Sequence, residues 1–246
     1  HPGLVHLPGG GDSYERLVWA NVSREVAAEE VHRIGLEQIE RLEDEYRTIA
    51  GPLLGTTDVD EIYDRLRSDP DLHYHDAETL VADATAALAK AAAAMGDWFG
   101  VLPKAPCLAT SIDQGPLAFY SQPAMDGSKP GTFFFNTSDP SMWGTFQLEA
   151  TTYHEGIPGH HLQVALTLEN ENLHPIHREP LVVAYLEGWA LYTDRVADEM
   201  GIYSSELDRV GMLAADSMRA CRLVVDTGLH ALGWSRDQAI DYMVNH

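Results

Sequence analysis

The chain reads as a mainly helical protein with one small β-sheet or hairpin, an α+β fold, and three stretches carry that expectation. Residues 26–50 repeat apolar residues at helical spacing among charges, residues 76–100 are alanine-rich, and residues 101–145 change to proline, glycine and β-like runs. Residues 1–11, with Pro2, Pro8 and Gly9-Gly10-Gly11, read as irregular. Over 26–50, Val31, Ile34, Ile39, Leu42 and Tyr46 line one helical face. Thr57 is placed to cap a short helix, with Asp60 three residues on. Asp76 starts the alanine-rich helix, whose composition means strong propensity and close packing rather than chemistry. Cys107–Ile112 and Thr132–Asn136 are the β-like runs, with a turn over Gly127–Gly131. Helices follow over roughly 146–170, 178–200, 206–230 and 235–246, the last opened by Ser235 and Asp237.

No repeat or low-complexity linker interrupts the 246 residues, so a single domain over 1–246 is expected: 1–100 helical, 101–145 β, 146–246 helical again. A hydrophobic share of 45% marks a folded chain rather than a disordered one. The formal charge of −22 disfavours nucleic acid and anionic membranes as partners and reads as a solvated acidic surface. Two cysteines, Cys107 and Cys221, are too few for a disulfide framework. No apolar run is long enough to span a membrane, and no signal segment opens the chain. Because residue 1 is His, the chain reads as a processed product or fragment; its location stays open, with the cytoplasm slightly favoured.

The chemistry concentrates in His154-Glu155-Gly156-Ile157-Pro158-Gly159-His160-His161. Imidazoles are common zinc ligands, and a neighbouring Glu can take a proton from an activated water. In His-Glu-x-x-His the two histidines share one helix face about 6 Å apart. Here His160 lies six positions after His154 and would point away on a straight helix, while His161, at seven, would sit about 10 Å along the axis. Pro158 disrupts helical geometry and Gly156 and Gly159 make an irregular turn cheap, so a bulged helix could return His160 to the ligand position, with His161 as its competitor. Glu187, in the apolar stretch Tyr185-Leu186-Glu187-Gly188-Trp189-Ala190-Leu191-Tyr192, is costly to bury unless paired or bound to a cation, which makes it the candidate third ligand.

The runs HEGIPGHHLQ, YLEGWALYTDRVADEMG and RLVVDTGLHALGWSRDQAIDYM, with LPGGGDSYERLV and YSQPAMDGSKPGTFFFNTSD upstream, closely resemble the DUF885 family of bacterial proteins over nearly the whole chain. That family is grouped by similarity with the zincin metallopeptidases whose third ligand is glutamate. The resemblance implies a zincin-like helical domain, the C-terminal part of a longer protein, with His154, His160 and Glu187 as ligands of one zinc ion. It implies Glu155 as general base in hydrolysis of a peptide or small amide. Manganese, cobalt or iron suit the same donors. An oxyanion donor is also required, for which His230 is favoured over Tyr192, Arg222 and Tyr120, with Asp226 and Thr227 placed to orient it.

Each residue also has a plainer reading. Glu187 could pair with Arg219 or Arg222, and Tyr185, Trp189 and Tyr192 could be core packing. His230 could be a structural histidine, His174 and His177 solvent-exposed loop residues, and Phe133–Phe135 a buried strand. A non-catalytic metal-binding or structural module, and a metal-dependent hydrolase of a non-peptide substrate, are the competing functions.

Overall fold

Helix α2 (Ala28–Leu54) realises the stripe expected of residues 26–50, burying Ile39, Leu42 and Tyr46 on one side. The computed structural model describes residues 2–178 and 182–246. The described chain divides into two compact units, one of residues up to 67 together with 213–246, the other of residues 68–212.

In the first unit, α1 (Gly10–Val22), α2, α3 (Val59–Ser68, whose last residue falls to the second unit), the later turns of α8 (Glu206–His230) and α9 (Arg236–Asn245) are helical. Tyr46 meets Tyr63 edge-on at 5.0 Å and accepts a hydrogen bond from Ser217. Gly35 allows α2 and α8 to touch, since a Cβ there would lie 2.7 Å from Val224 Cγ2. Helix α1 starts inside the triple-glycine run that reads as irregular; Gly9, at φ 68°, turns the chain into it. Asp58, rather than Thr57, caps α3, its carboxylate accepting from the Asp60 N–H. Ser235 forms the expected capping box with Gln238 at the start of α9.

In the second unit, Asp76 caps α4 (Ala77–Trp98) by accepting the Thr79 N–H at 2.7 Å. Three strands, β1 (Cys107–Ile112), β2 (Ala118–Ser121) and β3 (Gly131–Asn136), form a mixed sheet of order β1-β3-β2. Strand β3 is central, antiparallel to β2 and parallel to β1, so the hairpin expected from the turn lies between β2 and β3. Phe133 and Phe135 are fully buried with Trp143 and Leu148 beneath the sheet, each worth about 2–3 kcal/mol of apolar burial. The alanine-rich face of α4 packs Ala87, Leu88, Ala91 and Met95 against Tyr153, Ile157 and Leu162.

Helices α5 (Gln147–Glu155), α6 (His160–Glu169) and α7 (Val183–Glu199) complete this unit, and α8 begins in it. The stretch 146–170 is thus two helices, not one bulged helix. Of the helix expected over 178–200, residues 179–181 lie outside the described residues. Among the described residues, no helix is long and apolar enough to cross a membrane.

Candidate metal centre

The last turn of α5, the first turn of α6 and the middle of α7 converge in the second unit. Between α5 and α6, residues 156–159 leave helical geometry: Gly156 has ψ −116° and Gly159 ψ −128°. The break is stitched by backbone bonds, Gly156 N–H to Thr152 O, Gly159 N–H to Tyr153 O and His161 N–H to Gly156 O, each 2.9 Å. Glycine is required at 159 because a Cβ would lie 2.5 Å from the His154 carbonyl carbon. The break turns α6 back so that the rings of His154 and His160 meet edge-on at 4.9 Å.

Both imidazoles are buried, His154 4% and His160 6% exposed. Glu187 spans them, one carboxylate oxygen 3.7 Å from His154 Nε2 and the other 3.7 Å from His160 Nε2. That separation exceeds a hydrogen bond and lies close to the about 3.3–3.4 Å edge of a tetrahedron of ligands at zinc's bond lengths. Glu155 joins the same cluster: it, His154 and His160 each offer a ligand atom within 4.8 Å of the others. Neighbouring positions on a helix are about 100° apart, so Glu155 flanks the site rather than sharing His154's face. Two imidazoles and two carboxylates make a donor set that suits a divalent transition ion.

One residue escaped the sequence reading. Asp194, fully buried, accepts from His154 Nδ1 at 3.2 Å. A carboxylate only accepts, so the proton sits on Nδ1 and the Nε2 lone pair is directed to the Glu187 side. Asp194 follows Glu187 by seven residues on α7, about 20° away around the helix, so the two carboxylates bracket His154 from one face. An Asp at that spacing inside an apolar stretch is the signal that would have found it.

His161 is not brought into the cluster. Its Nε2 donates to Ala105 O at 2.9 Å, and its Nδ1 accepts from the Tyr120 hydroxyl at 2.9 Å. Burial lowers its pKa, which keeps the ring neutral for this pairing. Gly131 makes room for the pair, since a Cβ there would lie 2.7 Å from the Tyr120 oxygen. The Tyr120 ring also lies over His160, centroids 6.2 Å apart and tilted 26°; burial holds its phenol well above the usual range and therefore protonated.

Tyr185 and Tyr192 are 66% and 58% exposed rather than core. The buried face of α7 carries Ala190, Thr193 and Asp194; Glu187, three residues before Ala190, is 48% exposed rather than buried in the apolar stretch, and Tyr192, five residues past Glu187, points about 140° away from it. Trp189 instead donates its indole N–H to the Pro158 and Gly159 carbonyls, at 3.1 and 3.2 Å. His230 and Arg222 lie on α8 in the first unit. There the Leu4 N–H donates to His230 Nδ1 at 3.2 Å, Tyr14 stacks on the ring, and Asp226 lies 3.9 Å from Nε2. His174 and His177 are exposed, as expected.

The fold and the cluster define a mainly helical α+β protein whose histidines and carboxylates gather at a broken helix. The chain belongs to DUF885, a family described as bacterial protein of unknown function, whose model matches residues 2–246. Two solved structures share the fold. The "putative lipoprotein from Colwellia psychrerythraea" is 35% identical, with a TM-score of 0.93 over 99% of this chain. A "putative lipoprotein of unknown function from Shewanella oneidensis" is 19% identical, with a TM-score of 0.75 over 95% of this chain. The chain spans 44% and 46% of their respective lengths. No match was found among curated proteins.

Proposed function

We propose that this chain carries the metal centre of a zinc-dependent, zincin-like metallopeptidase acting on peptides or small amides. The observation that carries the reading is the Glu187 carboxylate, with an oxygen 3.7 Å from each of two buried imidazoles and Glu155 beside them. His154, His160 and Glu187 would hold the ion, and Asp194 would orient His154. When bound, zinc supplies Lewis acidity, polarising a carbonyl and making water acidic enough to lose a proton near neutral pH.

Glu155 performs the proton traffic. Its carboxylate takes a proton from the attacking water and delivers it to the departing amine nitrogen, so the acid is neutral only between the two transfers. Its flanking position supports that role, since a base must face both the water and the leaving group. The description of the 35%-identical structural relative as a putative lipoprotein supports an envelope-anchored or secreted parent, rather than the cytoplasm slightly favoured in the sequence reading.

The test uses the purified parent protein, zinc-loaded, against a peptide library. Glu155→Gln is expected to keep the metal and to lose about 10²–10⁴-fold in cleavage rate. Absence of cleavage by the wild-type protein, or equal cleavage by Glu155→Gln, sinks the peptidase reading and leaves a non-catalytic metal module.

A further inference from the structure

Two side chains tie α7 to the broken helix, Gln163 from α6 and Trp189 from α7. Gln163, 8% exposed, donates its amide N–H to the Tyr185 carbonyl at 3.0 Å. Trp189 donates its indole N–H to the Pro158 and Gly159 carbonyls. On α7 the anchor points are residues 185 and 189, two before and two after Glu187. On the other side they are residues 158–159 and 163, which bracket His160. The two ties therefore enclose the 3.7 Å approach of His160 to Glu187 from both ends.

Resting on the metal-centre reading above, we propose that Gln163 and Trp189 are positioning residues that set the His160–Glu187 separation and hence the affinity and geometry of the site. The physical need is specific. His154 is held by Asp194 and shares a rigid helix with Glu155, but His160 follows a four-residue break and Glu187 stands on another helix. Nothing in the covalent chain fixes those two relative to each other. A single tie leaves a hinge about its own axis; two ties on either side of the pair remove it. All three acceptors are backbone carbonyls, so Gln163 locates the main chain of α7 and Trp189 that of the break before α6. Trp189 also holds the carbonyls of the very residues whose irregular geometry turns α6 back.

The experiment uses the purified parent protein and zinc alone, titrated in competition with a chromophoric chelator, with cobalt(II) absorption as a second readout. Trp189→Phe keeps the aromatic packing and removes the N–H; Gln163→Met keeps the side-chain length and removes the amide. Each variant is expected to weaken zinc binding about 10–100-fold, the range for partners that orient ligands. Each should also change the visible band of bound cobalt, which reports coordination geometry. Glu169→Gln is the control. Glu169 ties the far end of α6 to the Lys104 and Ala105 N–H groups, and its loss should leave affinity and spectrum unchanged. Variants that melt at lower temperature yet bind zinc and cobalt like the wild type overturn the proposal, because the ties are then ordinary packing. A wild-type parent protein that binds neither ion overturns the metal-centre reading itself, an outcome visible before any variant is made.

Discussion

Replacing Gly159 by Ala tests whether the helix break is the element that builds the site. The added Cβ would lie 2.5 Å from the His154 carbonyl carbon and closer still to the carbonyl oxygens of His154 and Tyr153. Ordinary carbon–carbon contact is about 3.5–4.0 Å, so something must move by about 1 Å or more. All three neighbours are backbone atoms of α5, which no rotamer change can displace. The break itself is held by Gly159 N–H to Tyr153 O and by Trp189, so relief means losing those bonds. Overpacking costs about 1–3 kcal/mol when side chains can adjust, and a backbone clash belongs at or above the top of that range. About 3 kcal/mol translates into a fall in Tm of about 6–12 °C for a chain of this size. Calorimetry and urea titration measure it, and zinc binding by the folded variant should fall with it, because His160 begins directly after residue 159. A loss below about 1 kcal/mol with unchanged zinc affinity would refute the claim that close approach at 159 shapes the site.

Gly96, in the last turn of α4 and facing open space, gives the opposite expectation: Gly96→Ala should stabilise by about 0.5 kcal/mol, read from the urea midpoint. Asp194→Asn keeps an acceptor for His154 Nδ1 but loses the charge; zinc affinity should drop about 10–100-fold in chelator competition, and an unchanged affinity would remove Asp194 from the site. Burial pushes the Cys107 and Cys221 thiols up to about 12 and about 11. Both should therefore resist alkylation in the native protein at neutral pH and react once it is unfolded. The sign of the linkage follows: above the ordinary thiol value of 9.0 the unfolded chain ionises while the folded one does not, so stability falls as pH rises beyond about 9. Denaturation midpoints between pH 8 and 10 should show that fall, and it should shrink in Cys107→Ala.

Much of this arrangement was legible in local sequence because its signals are local. The periodicity of α2, the Asp76 and Ser235 caps and the buried Phe133 and Phe135 need only neighbouring residues to be read. Histidine beside glutamate marks chemistry for the same reason. What could not be read depends on partners distant in sequence. The choice between His160 and His161 turns on whether a ring meets Glu187 or the pair Tyr120 and Ala105, and those lie in another helix, a strand and a loop. Asp194 carried a usable signal at seven residues from Glu187, yet an acidic residue among Thr193 and Arg195 looks like surface until the helix face is known. Tyr192 was misjudged by the same omission: hydrophobicity alone does not say which side of α7 faces inward. The parallel pairing of β1 with β3 is likewise a property of the crossover, not of either strand's composition.

The division of labour proposed for the two carboxylates follows from where the chain lets each one stand. Glu187 is on a different helix from both histidines, so its two oxygens can face both imidazoles at once, and its side chain remains 48% exposed. Glu155 is bonded to His154 through one peptide link and is turned about 100° from it, so it approaches the pair from the flank, with an oxygen within 4.8 Å of both imidazoles. A ligand must satisfy the distances between donors, and a base must satisfy the distance to a proton outside the donor set. The break after Glu155 serves both requirements. It ends α5 so that Glu155 is at a helix terminus rather than inside a stack of turns, and it delivers His160 to the face that Glu187 already occupies. An uninterrupted helix with the same six-residue separation would point His160 away from His154, and the break over residues 156–159 removes that mismatch.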